Sequence, residues 1–300
     1  GGGGGGGGGG DAGLAEALLC LAARMPALLD VGSDLCRPLM QLLDWYLLHD
    51  AAGLLCGRLL APRAGMLSAL LEEAVRSSCA DRRGTIAVAG AMHSLLVLAP
   101  AHAPLLERPL ALVAQAVLQG PCEGQGEGYS ELSLATFGGV AGRALLVAPS
   151  TFEAALSSAA SALGVAEPLP AFCFAWLAVC DGMLLSSQRR LAALALAALL
   201  PLEPKALGCL EEVLSLCVSA LADEEQPPPS PARSPPPEAV RAAFSRALEP
   251  FDSLAAMPLR PALQRSLGVA QEAHGAAFGA AIARVDPALL EQVRAAFGTV

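Results

Sequence analysis

Lysine, aromatic residues and β-branched residues are all scarce in this 300-residue sequence. Lys205 is the only lysine, so the basic residues are almost all arginine, and with the heavy use of alanine this reads as the mark of a GC-rich genome. Charged residues make up 16% of the chain and the net charge is -9, so the clustered basic face of a nucleic-acid-binding protein is missing. The acidic balance suits basic protein partners instead. Aromatics account for only 4% while 54% of residues are hydrophobic, chiefly Ala and Leu. Those two lose little on entering a helix, whereas a pleated sheet is filled by the β-branched and aromatic types that are sparse here. The composition therefore predicts an all-α protein with extensive buried apolar surface, not a disordered one.

The motifs of catalysis and metal binding are absent too. The nine cysteines, Cys20, Cys36, Cys56, Cys79, Cys122, Cys173, Cys180, Cys209 and Cys217, include no Cys-x-x-Cys pair. Cys173/Cys180 and Cys209/Cys217 lie in apolar stretches about two helical turns apart, where free cysteine acts as a small buried hydrophobe; a reducing compartment is expected. His49, His93, His102 and His274 have no partner at a ligand spacing, and read as structural. No Gly-x-Ser-x-Gly elbow occurs, and Glu211 and Glu212 are adjacent, pointing apart on a helix. No catalytic, cofactor-binding or metal-binding residue is assigned, and the expectation is a binding protein, not an enzyme.

Long hydrophobic runs are interrupted. The longest stretch free of formal charge, Thr85 to Leu106, contains His93, Pro100, His102 and Pro104, which fits a helix ending near Pro100 better than a membrane span. A helical membrane protein is the weaker reading. No signal peptide is recognisable. The ten leading glycines (1–10) have no side chains to bury and are expected to be a flexible appendage or a flaw of sequence assembly, with more protein upstream.

Helix signals recur along the rest of the chain (11–300). The expected helices are Gly13 to Leu29, Asp34 to His49, Ala51 to Leu60, Ala64 to Ser77, Arg82 to Ala99, Ala103 to Leu118 and Ser130 to Val147. They continue as Ser150 to Leu163, Leu169 to Met183, Ser186 to Leu200, Pro204 to Ala222, Pro237 to Leu248, Pro258 to Ala283 and Pro287 to Phe297. Ser150 with Glu153 predicts a capping box, and Asp286 before Pro287 a capped start. Leu207, Leu210, Leu214, Cys217 and Leu221 form one apolar stripe, as do Leu289, Leu290, Val293 and Phe297. Helix plus turn recurs about every twenty residues, so a pair takes roughly forty, the period of HEAT or armadillo units stacked into an α-α superhelix.

Two segments depart from this pattern. Pro121 to Tyr129 (PCEGQGEGY) is glycine-rich but lacks the Gly-Lys-Ser/Thr ending of a phosphate cradle, and reads as a loop between repeats. Residues 222–238, ADEEQPPPSPARSPPPE, predict a disordered acidic and proline-rich insertion. It is either an inert linker or a site where Asp223, Glu224 and Glu225 meet a basic partner, Ser230 and Ser234 are phosphorylated, or the prolines dock in an aromatic groove. Trp45 with Tyr46, and Trp176 with Phe172 and Phe174, read as packing aromatics, an exposed tryptophan being the alternative as a binding anchor.

The stretch Ala175 to Asp223 resembles the late HEAT repeats of the importin-β (karyopherin-β) superfamily, nearest the importin eleven type. The shared order is a Trp-containing helix, a basic pair and an apolar helix ending Leu-Leu-Pro, here Trp176, Arg189, Arg190, Leu191, Leu194, Leu199, Leu200 and Pro201. Leu263, Leu267, Phe278, Val285, Asp286, Leu290, Val293 and Phe297 resemble that superfamily's closing helix pair, and the insertion falls where it carries an acidic loop. The resemblance implies the C-terminal part of a nuclear transport receptor: protein cargo and nuclear pore proteins as partners, exchange controlled by the Ran GTPase, and shuttling between nucleus and cytoplasm across the nuclear envelope. The main Ran-binding repeats would lie upstream of Asp11, and no individual partner-binding residue carries over. A solenoid adaptor in trafficking or the cytoskeleton has the same periodicity and is the rival reading.

Overall fold

The structure is a computed structural model that describes residues 35–56, 64–79, 81–121, 128–180, 183, 185–225, 243–244 and 246–297, without the side chains of 49–56 and 64–66. The glycine tract, the helix expected at Gly13 to Leu29, most of the Pro121 to Tyr129 loop and residues 226–238 of the insertion lie outside the described residues.

Among the described residues every regular element is helical. They run α1 (Cys36–Cys56), α2 (Ala64–Ser77), α3 (Arg82–Leu98), α4 (Glu107–Gln119), α5 (Glu131–Val147), α6 (Pro149–Leu163), α7 (Pro168–Cys180), α8 (Ser186–Leu199), α9 (Leu210–Glu225), α10 (Leu259–His274), α11 (Ala276–Ile282) and α12 (Pro287–Phe297). Short 3₁₀ turns, Pro100–Leu106, Pro204–Cys209 and Glu249–Phe251, sit between them. Each of these turns has a proline at its start, where the missing N–H is not needed.

Local chemistry explains where the boundaries match expectation and where they do not. The Asp81 carboxylate accepts from the N–H groups of Arg83 and Gly84 at 2.9 and 2.8 Å and starts α3. Asp286 likewise accepts from the Ala288 N–H at 2.8 Å. The capping box at Ser150 and Glu153 does not form. Pro149, pre-set for the first helical position, starts α6 a residue early after Ala148, which leaves Ser150 inside the first turn. Asp34 to His49 and Ala51 to Leu60 are not separate: α1 runs on to Cys56, since Gly53 alone, at about 1 kcal/mol, does not end a helix. Conversely Pro258 to Ala283 is two helices, because Gly275 takes a positive φ of 46° between α10 and α11. The insertion begins later than expected, since Ala222 to Glu225 form the last turn of α9.

The helices stack in two layers as an all-α superhelix. One layer is the succession α1, α3, α5, α8, α10, each packed on the next; in the other, α2 packs on α4, α4 on α6 and α7, and α9 on α12. Pairs such as α4/α5, α5/α7 and α8/α9 join the layers. A single apolar core runs between them from Cys36 to Phe297. The predicted stripe Leu207, Leu210, Leu214, Cys217 and Leu221 is wholly buried, whereas in α12 Val293 and Phe297 are buried and Leu289 and Leu290 only partly so. Trp176 shows how close the layers come. A Cβ on Gly138 or Gly142 of α5 would lie 2.1 or 2.4 Å from its ring, so only glycine makes that slot. Phe172 and Phe152 continue the aromatic line, with ring centroids 5.8 and 5.6 Å apart. No single described helix is long and apolar enough to cross a membrane; the pair α6/α7 has the length and composition but is bent by 90°.

Candidate interaction cleft

Helices α1, α3, α5 and α8 of the first layer line a cleft of about 510 Å³ that is crossed by the chain from Phe244 to Met257. This strap is held by arginines from the helices beneath. Arg143, buried in α5, donates two parallel hydrogen bonds to Asp252, Nη1 to Oδ1 at 2.8 Å and Nη2 to Oδ2 at 2.7 Å. Asp252 Oδ1 also accepts from the N–H groups of Leu254 and Ala255 at 3.0 and 3.3 Å, which folds the strap into a tight turn around its own carboxylate. Burial pushes the Asp252 carboxyl up, but the hydrogen bonds and charge of Arg143 outweigh it and hold the carboxyl below the usual carboxylate range.

Arg189 and Arg190, at the start of α8, face the three acids at the end of α9. Arg189 Nε donates to Asp223 at 2.7 Å and its Nη1 to the Met183 carbonyl at 2.8 Å. Arg190 pairs with Glu224 and donates to the Met257 carbonyl of the strap, and Arg260 of α10 pairs with Glu225 at 3.1 Å. The acidic run, read in the sequence either as part of an inert linker or as a site for a basic partner, is paired with arginines of the chain itself. The signal for this was present. Arginines at a helix N-terminus and acids at a C-terminus each oppose the helix dipole. Both are relieved when antiparallel neighbours bring the two ends together.

The cleft is also lined by Asp44 and Trp45 of α1 and by His93 and Ser94 of α3. Ser94 Oγ lies 2.8 Å from Asp44 Oδ1 and 2.9 Å from the Gly90 carbonyl. Among the described residues no cation lies within ion-pair distance of Asp44, and burial pushes its carboxyl up to about 7. Burial, then the charge of Arg143, pushes His93 down to about 3, so it stays neutral. Trp45 is 42% exposed and meets Phe244 of the strap edge-on, with centroids 5.3 Å apart. The sequence left Trp45 open between core and anchor, and it is the exposed member of the two tryptophans; Trp176 is fully buried. Neither Asp44, Arg143 nor Asp252 was foreseen as a site residue, because their meeting depends on contacts between distant helices.

His274, Glu211 and Glu212 stay apart from the cleft. His274 is hydrogen-bonded to the Leu200 carbonyl at 2.8 Å, and Glu211 and Glu212 are exposed on the first turn of α9. No group of three or more His, Cys, Asp or Glu that could hold a metal forms among the described residues. The cleft thus offers charge, hydrogen bonds and a partly exposed aromatic pair.

Compared with known families, residues 11–298 match the family model described as Importin-11-like, TPR repeats. That description names a different type of helical repeat from the one the spacing suggested, but both are antiparallel helix pairs stacked into a superhelix. No curated protein and no solved structure matches the chain.

Proposed function

Because the chain belongs to the Importin-11-like family, we propose that it forms part of a nuclear transport receptor that carries protein cargo through the nuclear pore under control of the Ran GTPase. The observation that carries this reading is the family match over residues 11–298, nearly the whole of the chain. Its partners would be cargo, Ran and nuclear pore proteins, and it would shuttle between nucleus and cytoplasm. The role is binding, without catalysis. In such a superhelix the helix pairs pack mainly on their neighbours, so small rotations add along the stack and let a receptor of this kind open or wrap.

The cleft gives cargo a place to bind. Asp44 beside the exposed Trp45 and Phe244 suits a cationic side chain, which would pair with the carboxylate and lie over the exposed face of the tryptophan ring. The test is a pull-down of the full-length protein with Ran locked in its GTP form, with cargo release followed in the same assay. Binding accompanied by release of cargo is expected. Absence of Ran binding overturns the transport reading and leaves a solenoid adaptor.

A further inference from the structure

Outside the cleft, on the seam between α7 and the 3₁₀ turn Pro204–Cys209, two fully buried cysteines face each other. Cys173 Sγ and Cys209 Sγ are 2.8 Å apart, although 36 residues separate them in sequence. We propose that Cys173 and Cys209 are an oxidisable dithiol, a modification site that a hydroperoxide converts to a reversible disulfide.

The geometry is close to what a disulfide requires. A disulfide S–S bond is about 2.05 Å, so the sulfurs need to approach by less than about 1 Å. The hydrogen bonds also give the two thiols an order. Cys209 Sγ donates to the Ala206 carbonyl at 2.9 Å, which leaves its sulfur as the acceptor for the Cys173 S–H. That bond and burial raise the Cys173 thiol above its ordinary value, so in the closed structure the pair is stored as two thiols.

Access is through the turn. Phe174, 47% exposed, lies against Gly208, whose Cβ position is 3.0 Å from the end of the phenyl ring. The chain neighbours of the two cysteines therefore meet at the surface of this seam, and Cys209 ends a six-residue 3₁₀ turn, the kind of element that opens locally. The chemistry balances in two steps. The sulfur of one cysteine attacks the peroxide, breaking O–O, forming a sulfenic acid and releasing one water or alcohol. The second thiol then attacks that sulfur, forming S–S and expelling water. Two electrons pass from the two sulfurs to the peroxide, and a thiol reductant reverses the result.

The closed loop would contain all of α8, the helix whose Arg190 holds the strap. Oxidation would thereby fix the spacing of α7, α8 and α9 in one repeat, in keeping with the transient, regulatory disulfides found in reducing compartments.

The experiment uses the full chain, purified reduced, treated with graded hydrogen peroxide, alkylated after denaturation and mapped by mass spectrometry without reduction. A peptide linked through Cys173 and Cys209, two mass units lighter than the sum of its halves and cleaved by dithiothreitol, is expected before Cys36 or Cys217 is modified. The oxidised protein should melt several degrees higher than the reduced one. In Cys209→Ala the cross-link and the shift should both vanish, and if that variant does not fold, the map of the unaltered chain decides alone. Recovery of both cysteines as alkylated thiols at a dose that oxidises partly exposed Cys79 overturns the proposal, as does a link from Cys173 to Cys180 or Cys217 instead.

Discussion

Helix α5 presents two faces that solve the same packing problem in opposite ways. Gly138 and Gly142, four residues apart, make the slot that buries Trp176 between the layers. One step round the helix, Gly139 and Arg143 face the cleft, where Arg143 reaches the strap through Asp252. The first face is apolar, local to a repeat and held by shape. The second is charged and joins residues 109 apart in sequence. Shape complementarity gains from every contact atom, whereas a buried ion pair returns the cost of desolvation only while both members are present. The two faces should therefore fail differently when altered.

The largest effect is expected on the apolar face. Trp176→Ala removes a fully buried indole from a slot of glycines that cannot collapse into the space, and should cost about 3–5 kcal/mol, read as a lowered urea midpoint. Gly142→Ala places a Cβ 2.4 Å from that ring and 2.9 Å from the Ala195 Cβ, so it should destabilise alone yet cost less in the Trp176→Ala background. Additive costs would show that the slot is not shaped by the indole.

On the charged face, Asp252→Ala leaves the Arg143 guanidinium buried without its counter-charge and should cost about 3 kcal/mol. Replacing both partners together, Arg143→Met with Asp252→Leu, should recover most of that loss, which no second substitution at the Trp176 slot is expected to do. Equilibrium unfolding of the single and double variants checks it, and a double variant as unstable as Asp252→Ala would mean the pair contributes well beyond its desolvation cost.

The same contrast explains what could be read in advance. Periods of three and four in α9, the proline after Leu199 and Leu200, and the acid before Pro287 are local signals, and they placed most of the described helices and the buried stripe of Leu207, Leu210, Leu214, Cys217 and Leu221. The capping box failed because Pro149 offered a stronger local start one residue earlier. What stayed hidden was the cleft: nothing in the local pattern says that Asp252 returns across α5, or that Asp44 meets Ser94 from another helix. Arg189, Arg190, Asp223 and Glu224 were visible as charges, but their partners depend on which helix ends adjoin.

The smallest effect is a pH dependence in which two cleft residues oppose each other. Asp44 is raised from 3.8 to about 7 in the folded protein, so the native state binds more protons than the unfolded chain across that window, and its contribution to stability falls as pH rises from about 4 to 7. His93 is lowered from 6.5 to about 3, so there the unfolded chain binds more protons, and its contribution rises with pH over about 3 to 6.5. The slopes have opposite signs where the windows overlap, and Asp252, whose carboxyl is held low, matters only in acid below the overlap. The unaltered protein should thus show little change in melting temperature between about pH 4 and 6.5 from these two groups. Asp44→Asn should expose the His93 slope, with stability climbing toward neutrality, and His93→Gln should expose the Asp44 slope, with stability declining over the same range. Melting curves at steps of pH distinguish these outcomes, and parallel profiles for the two variants would mean that neither side chain is held in the cleft as buried and uncharged.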